Sequence, residues 1–476
     1  MKRKMRMILT AAGALLVLLF AVDCNGGGGT APVPPAPSGA TFVGATTCGT
    51  GSGCHADIQG QWQTTAHSKA LQALQQIGQD KNTACLPCHT VGFGTATGFK
   101  DATSTANLAG VQCESCHGAG SDHVASGNGD KTKITTFPNI LSADVCGKCH
   151  TGNFHPTVDE WKTSKHVEVT PHVAAYFADQ TRGPTITPMC GPCHSGDFKT
   201  RVIENGEPAA NVDLRGLTPD QMTPVTCPVC HDPHTVTGNN AVAGTEYQLR
   251  HKEFVDPTTD PYGGGDPTTI AVYSKVNHEC GQCHNRRGAD PSDTGLQANT
   301  SRPPHHAVQM DFMFGIGGVQ TGTPPAQSAH RNNEKQCATC HMYAKPAASE
   351  TDTGITGHEF AVHLEACSPC HSASDAAARM LATKSDIEAR LFALQTRLNN
   401  WGTTANIDTK GPLSWEYVSN GGPASSKQTQ VPIQIKRARY DYYYVSNDQS
   451  FGVHNAKYAR YLLDVANAQL DALGAP

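Results

Sequence analysis

Cysteine and histidine are the residues of this 476-residue sequence whose spacing most clearly supports chemistry. The pentapeptide Cys-x-x-Cys-His occurs eight times, always with histidine directly after the second cysteine. Two thiols at this spacing reach the two vinyl groups of one porphyrin and the histidine then faces the iron, so the pattern is typical of c-type haem attachment. Zinc half-sites also use paired cysteines, but they do not require a histidine after every pair. The motif cysteines are Cys85, Cys88, Cys113, Cys116, Cys146, Cys149, Cys190, Cys193, Cys227, Cys230, Cys280, Cys283, Cys337, Cys340, Cys367 and Cys370.

A ninth arrangement resembles these motifs but is three residues longer. Cys48 and Cys54 are followed by His55, and the residues between the cysteines read GTGSG. Glycine allows the backbone to bulge while both sulfurs face one ring, whereas a disulfide across so small a loop would gain little stability by chain-entropy reasoning. We therefore predict nine haem c groups, with a disulfide as the alternative at Cys48 and Cys54.

The second axial position of each iron decides between an electron carrier and an enzyme. The chain has 23 histidines, and nine of them follow the second cysteine of a motif. Bis-histidine ligation keeps reduction potentials lower than His/Met ligation does. The predicted proximal ligands are His55, His89, His117, His150, His194, His231, His284, His341 and His371. The predicted distal ligands are His67, His123, His155, His166, His234, His306 of the His305-His306 pair, His330, His358 and His454, while His172, His251, His278 and His363 are weaker candidates.

A local repeat supports two of these distal ligands. Trp-x-x-x-x-His follows the first motif at Trp62 and His67, and it follows a regular motif at Trp161 and His166. The Cys54-His55 pair therefore heads the same arrangement as a regular motif, which favours a ninth haem. The two tryptophans are candidates for stacking on a porphyrin.

Several of these segments resemble a known superfamily. They are the Trp-x-x-x-x-His repeats, CESCHGAGSDH at 113, CATCHM at 337 with the later GHEF, and ARYDYYYVSNDQSFGVHN near the end of the chain. The sequence is similar to the superfamily of pentahaem nitrite reductases, octahaem hydroxylamine oxidoreductases and the tetrahaem cytochrome that accepts electrons from the latter. The resemblance covers scattered motifs between residues 41 and 465 and is strongest to the multihaem cytochromes of dissimilatory metal-reducing bacteria. It implies haems stacked in near-contact pairs along a continuous chain, with distal ligands at His67, His123, His166, His234, His358 and His454.

The sequence departs from the enzymes of that superfamily. The nitrite reductases bind their catalytic iron through Cys-x-x-Cys-Lys, and this sequence contains no such motif. The hydroxylamine oxidoreductases cross-link a tyrosine to the active haem, and the candidates for an equivalent are Tyr440, Tyr442, Tyr443 and Tyr444. Tyrosines packed edge-on against haems are the interpretation that we favour.

The amino terminus has the pattern of an export signal. Basic residues up to Arg6 precede an uncharged stretch from Met7 to Val22, which is rather short for a membrane span. We predict a signal peptide over residues 1–23, a Gly/Pro-rich tether over 24–40, and lipid attachment at Cys24. Simple cleavage remains the alternative, because Asp23 is unusual directly before a lipid-bearing cysteine. The expected location is the outer membrane as a lipoprotein, or the periplasm or cell exterior.

Composition agrees with an interior built around cofactors. Hydrophobic residues make up 38% of the chain and aromatic residues 6%, while glycine and proline number 47 and 30. Side chains alone would form a thin core. The net charge is −5, and haem propionates would make it more negative, so nucleic acid is excluded as a partner.

We predict a mainly α fold with extensive irregular loops, in which a multihaem domain covers residues 41–374 and a helical region with one haem ligand covers 375–476. A short helical run is expected from Ala56 to Gly78. A long helix is expected from Ala376 to Asn400, stopping near Gly402, and a second helix near 454–473. The apolar positions of the long helix are Met380, Ile387, Leu391, Leu394 and Leu398.

These observations favour electron transfer through nine bis-histidine haems at the cell envelope. The expected partners are other cytochromes or membrane redox proteins and an extracellular acceptor such as a metal oxide, and the chain is also a candidate for oligomerisation. The rival function is a reductase or oxidase of nitrite, hydroxylamine or tetrathionate with one open haem, where Arg286, Arg287 or Arg302 would hold the anion. A subunit of an extracellular haem filament fits poorly with a lipid anchor.

Overall fold

The computed structural model describes residues 39–127, 129–134, 140–242, 246–269, 272, 275–349 and 351–475. The predicted signal peptide, Cys24 with its predicted lipid, and the Gly/Pro-rich stretch as far as residue 38 lie outside these residues. The described chain forms helices joined by irregular loops, with isolated β-bridges in place of strands. The expected fold class is therefore confirmed. No helix in this part of the chain is both long and apolar enough to cross a membrane.

Short helices dominate as far as residue 372, and three longer ones follow. The α-helices are Ala45–Cys48, Ala56–Trp62, Ala70–Gln76, Leu86–His89, Cys113–His117, Ser121–Ala125, Ala143–Gly147, Thr157–Trp161, Pro171–Ala178, Gly183–His194, Cys227–Cys230, Asp293–Ala298, Gln309–Phe314, Cys337–His341, Ala373–Ala405, Ile433–Asn447 and Ala456–Asp471. A π-helix covers Phe198–Glu204. The 3₁₀ turns are His67–Lys69, Ala106–Leu108, Lys131–Lys133, Lys165–Val167, Ala209–Asn211, Pro219–Gln221, Cys280–Gln282, Ala329–Asn332, Leu364–Cys367, Ile407–Thr409, Gly411–Leu413, Val418–Asn420 and Ser425–Gln430.

The helical run expected from Ala56 to Gly78 is divided. Ala56–Trp62 and Ala70–Gln76 are separate α-helices, and His67–Lys69 forms a 3₁₀ turn between them. The break places His67 on a turn that is packed against the segment before Cys113, where Val111 N–H donates to the His67 carbonyl at 2.9 Å.

The last three helices pack together around a conventional hydrophobic core. Ile387, Leu394 and Leu398 of the helix Ala373–Ala405, hereafter the long helix, are fully buried against Tyr444 and Leu462 of the two helices that follow. The apolar side chains that recur at helical spacing in the sequence therefore face the core. This region forms its core from side chains, unlike the loop-rich part that carries the motifs.

The long helix does not stop at Gly402 as expected from the sequence. It continues to Ala405 and ends where Asn406 adopts a left-handed conformation with φ of 44°. A Cβ at residue 402 would lie 2.7 Å from the Pro412 carbonyl oxygen. Glycine at this position therefore permits close packing of the following turn and does not terminate the helix.

Candidate haem attachment sites

Motif histidines face other histidines across gaps of nearly constant width. The ring centroids of the facing pairs lie 6.1 to 6.4 Å apart. The pairs are His67 with His150, His89 with His155, His117 with His234, His166 with His284, His194 with His305, His231 with His358, and His341 with His454. His155 also lies 6.1 Å from His150, and we assign it to His89 because His150 already faces His67.

This spacing fits one metal ion held between two imidazoles. An imidazole nitrogen binds a metal at about 2 Å, so rings on opposite sides of one ion have centroids about 6 Å apart. Burial lowers the pKa of His150, His166 and His358 to about 4. These rings are therefore neutral at neutral pH, which is the form that binds iron. The paired residues fit haem c as the bound group.

Backbone carbonyls hold three of these rings through Nδ1. The Nδ1 atoms of His89, His231 and His341 lie 2.9, 2.5 and 3.0 Å from the backbone carbonyl oxygens of residues 70, 247 and 360. An Nδ1–H bound in this way fixes the ring and leaves Nε2 available to a metal. His123 and His330 have the same arrangement, with Nδ1 at 2.9 and 3.0 Å from a backbone carbonyl oxygen.

Of the adjacent His305 and His306, the structure places a different ring opposite a motif histidine from the one that the sequence predicts. The ring that faces His194 is His305, at 6.2 Å. His306, which the sequence analysis favoured, stacks on His305 with the centroids 4.3 Å apart. The backbone of this loop turns His305 towards the motif, and the His306 ring lies against the face of His305.

The weaker histidine candidates have other partners. Nε2 of His251 pairs with Glu204 at 3.1 Å, and Nε2 of His363 pairs with Glu359 at 2.5 Å. His278 uses Nδ1 to accept the Gly281 N–H at 2.9 Å. In His251 and His363 these contacts occupy Nε2, the nitrogen that a haem ligand would use.

Two motif histidines lack a facing ring among the described residues, namely His55 and His371. Their motifs also contain Cys54 and Cys370, which are exposed, whereas the other free motif cysteines are at least partly covered. The first and last motifs of the chain therefore lie nearest the surface.

The extended motif at Cys48 closes in the same way as the regular ones. In regular motifs the histidine N–H donates to the carbonyl of the first cysteine, as His150 does to Cys146 at 2.9 Å. His55 N–H makes the equivalent bond to the Cys48 carbonyl at 3.2 Å, although three more residues intervene. Gly53, with φ of 74°, accommodates the extra loop.

The Trp-x-x-x-x-His repeat is also a structural repeat. The Trp62 indole N–H donates to the Val111 carbonyl at 2.9 Å, and the Trp161 indole N–H donates to the Val225 carbonyl at 2.9 Å. Each of these carbonyls lies two residues before a motif. Both tryptophans therefore position a later motif against an earlier one.

Thiols of different motifs lie close together. Five pairs of thiols from different motifs are neighbours: Cys48 with Cys113, Cys88 with Cys149, Cys146 with Cys227, Cys193 with Cys283, and Cys280 with Cys337. Cys116 also lies near Cys146 and Cys149, Cys230 lies near Cys283, and Cys340 lies near Cys367 and Cys370. When each site is named by its motif histidine, neighbouring sites form one series: His55, His117, His150, His231, His284, His341 and His371. The His89 site lies beside His150, and the His194 site lies beside His284.

Two carboxylates, the buried Glu114 and the half-buried Glu160, position motif segments, and the sequence analysis did not identify them. Glu114 accepts the N–H groups of Gly44 and Gly120 at 2.8 Å each, and so fixes the strand of chain that leads to Cys48. Glu160 accepts the N–H groups of Thr356 and His358 at 2.9 Å each. Glu114 lies inside a motif and Glu160 directly precedes a repeat tryptophan, which are the only sequence signals that mark them.

The tyrosines near the carboxyl terminus have structural partners. Tyr440 and Tyr444 donate to the carbonyls of Gly317 and Ile316 at 3.0 and 2.7 Å, and Tyr443 donates to Glu416 at 2.8 Å. Of the arginines considered for anion binding, Arg286 faces the buried carboxylate of Asp311, with Nε 3.6 Å from the nearer oxygen. These contacts show that the tyrosines and Arg286 help to pack the carboxyl-terminal helices against the loop that contains Ile316 and Gly317.

Paired thiols and facing imidazoles on a helical, loop-rich scaffold define a multihaem c-type cytochrome, as predicted from the motifs, and comparisons with known proteins confirm this class. The family profile described as cytochrome c554 and c-prime matches residues 48–118, and that described as cytochrome c552 matches residues 325–473. The chain is 29% identical over 202 residues to cytochrome c-554 of Nitrosomonas europaea. The alignment covers 36% of this chain and 79% of the relative.

Two solved structures share the fold. The undecaheme cytochrome from the S-layer of Carboxydothermus ferrireducens superposes with a TM-score of 0.54 at 19% identity, over 94% of this chain and 71% of that chain. The outer cell wall cytochrome OcwA superposes with a TM-score of 0.51 at 20% identity, over 81% of this chain and 75% of that chain. The matches to the cytochrome c554 and cytochrome c552 profiles imply covalently bound haem c and are consistent with electron transfer.

Proposed function

We propose that this cytochrome transfers electrons through nine covalently bound haem c groups, each with histidine on both sides of the iron. The observation that carries the proposal is the set of facing imidazole pairs at 6.1 to 6.4 Å. Haem c, when bound, supplies reversible one-electron chemistry at its iron. Imidazole on both faces leaves no position for a reactant, which favours a carrier over an enzyme.

The ninth haem is supported by the equivalence of the extended motif to a regular one. Cys48 contacts Cys113 just as Cys146 contacts Cys227. His55 also closes its motif through the same backbone bond as His150. We therefore assign Cys48 and Cys54 as attachment residues.

His123 and His330 complete the proposed set of ligands. Both rings are held through Nδ1 and leave Nε2 free, as a haem ligand requires. The sites that need a second ligand are those of His55 and His371.

The continuous series of sites supports a relay. Seven neighbouring sites run from His55 to His371, so electrons would pass between the two motifs nearest the surface. The His89 and His194 sites lie beside this path, and their haems would store electrons without being part of the series.

We further propose that the chain is exported, is anchored by lipid at Cys24, and exchanges electrons with other cytochromes or membrane redox proteins and with an extracellular acceptor such as a metal oxide. The signal-like amino terminus supports export. The two structural neighbours are described as proteins of the S-layer and the outer cell wall.

An oligomer with a second copy is proposed through the long helix. Leu381 and Phe392 are 68% and 73% exposed and lie on one face of it. Lys384 and Glu388 share that face. Two such helices crossing antiparallel would place each Leu381 on Phe392 of the other copy and each Lys384 beside Glu388, which is the self-complementary arrangement of a two-fold interface.

Electron paramagnetic resonance of the oxidised protein, with carbon monoxide titration of the reduced protein, tests the carrier function. We expect low-spin iron throughout and no binding of carbon monoxide, because this ligand requires a vacant axial position. A high-spin fraction that shifts with nitrite or hydroxylamine would overturn the proposal in favour of an enzyme.

A further inference from the structure

His454 differs from the other facing histidines in the group that binds its outer nitrogen. Its Nδ1 lies 2.7 Å from Oδ1 of Asp448, whose side chain is fully buried. We propose that Asp448 is a positioning residue that gives the iron between His341 and His454 the lowest reduction potential in the chain. The inference rests on the proposed function, since it requires haem at this site.

Five of the other facing rings are bound by weaker acceptors. Three motif histidines donate to backbone carbonyls, as described above. His284 meets the Gln309 side-chain amide oxygen at 3.2 Å, and His358 meets the Thr356 hydroxyl at 3.0 Å. These acceptors are all neutral.

Other carboxylates that face ring nitrogens of the proposed haem ligands are farther away and more exposed. Asp232 lies 3.8 Å from Nδ1 of His234 and is 30% exposed, and Asp375 lies 3.5 Å from Nδ1 of His371 and is 43% exposed. Water screens a charge at such positions. Among the described residues, the Asp448 contact alone combines a short bond with complete burial.

The physical effect follows from the charge. A hydrogen bond to an ionised acceptor is about twice as strong as a neutral one, and it makes the ring a stronger electron donor to its metal. A stronger donor favours ferric over ferrous iron. The buried negative charge acts in the same direction, because a low-dielectric interior screens it weakly.

The surroundings fix this contact in place. The Ser450 hydroxyl donates to Oδ2 of Asp448, and Ser450 Oγ also accepts the His454 backbone N–H at 3.2 Å. The Gln309 side chain reaches the Asp448 carbonyl at 3.4 Å. Asp448 therefore presents one oxygen to His454 and is held by its neighbours through the other oxygen and its backbone.

The site lies next to the terminal His371 site in the series. A low potential here would separate that terminal site from the rest of the path. The carboxylate would thus control how readily the His371 end exchanges electrons with the interior.

Spectroelectrochemical titration of the full-length haem-loaded protein, with the Asp448→Asn variant, tests this inference. Asparagine keeps the shape and an acceptor oxygen but removes the charge. We expect the lowest-potential haem to move upward by at least a tenfold change in its reduction equilibrium, which is about 59 mV for a one-electron couple, with a changed low-spin resonance signal. The control Asp232→Asn removes a partly exposed charge 3.8 Å from Nδ1 of His234 and should shift the potentials far less.

Ser450→Ala provides a second variant in case Asp448→Asn does not mature. It removes a donor from Oδ2, concentrates charge on the oxygen that faces His454, and should lower the same potential further. Unchanged titration curves for both variants in a protein whose haems are all low-spin would overturn the role of Asp448. High-spin wild-type protein would instead overturn the proposed function.

Discussion

Replacement of His305 by alanine should open one iron to external ligands, whereas replacement of His306 should not. The structure places the His305 ring 6.2 Å from His194, at the distance of an iron shared by two imidazoles. His306 stacks on His305. The two variants remove the same side chain at adjacent positions, so each serves as the control for the other.

The expected magnitude follows from the single pair affected. His305→Ala should convert about one haem in nine to high spin and raise carbon monoxide binding by one molecule per chain over the wild type. The loss of the ring leaves a cavity of imidazole size, so added imidazole should restore the low-spin signal. His306→Ala should match the wild type in both measurements.

The assay is carbon monoxide titration of the dithionite-reduced proteins, followed by resonance Raman spectra with and without imidazole. If His306→Ala, and not His305→Ala, creates the binding site, then the structural pairing is wrong and the sequence prediction is right. If neither variant binds carbon monoxide, imidazole ligation from this loop is refuted.

The remaining predictions concern local stability and assembly. Glu114→Ala leaves the N–H groups of Val43, Gly44 and Gly120 without their acceptor, the last two of them buried. The expected cost is about 3 to 5 kcal/mol, and amide hydrogen exchange over residues 43–48 should become faster; unchanged exchange would contradict the anchoring role. Burial raises the pKa of Asp441 well above its ordinary value, so its contribution to stability is present in acid and is lost as pH rises. Asp441→Asn should therefore raise the melting temperature relative to wild type at pH 7 and less so near pH 4, and an equal difference at both pH values would contradict this. Phe392→Glu should convert the oligomer to a monomer, as measured by sedimentation equilibrium. An unchanged mass would show that the long helix is not the interface.

The sequence predicts haem attachment at the Cys-x-x-Cys-His motifs because each motif is local, with two thiols and a histidine within five residues. It also predicted the long helix, since Ile387, Leu391 and Leu394 recur at helical spacing. Facing pairs such as His67 with His150 depend on tertiary packing between distant segments, and spacing does not encode them.

The choice between His305 and His306 depends on the turn of one loop, which periodicity does not report. Asp448 acts on His454 only because the chain folds back after the preceding helix. The sequence predicts that the long helix ends at Gly402, but the helix continues to Ala405. A glycine required by close packing and a glycine at a helix end look alike in sequence.

The number of haems in the purified, denatured protein tests the central claim most directly, and intact-mass spectrometry measures it. Nine thioether-linked haems per chain, one of them mapped by peptide digestion to Cys48 and Cys54, are predicted. Eight haems with those two cysteines unmodified would contradict the ninth site, and fewer than eight would contradict the proposed relay.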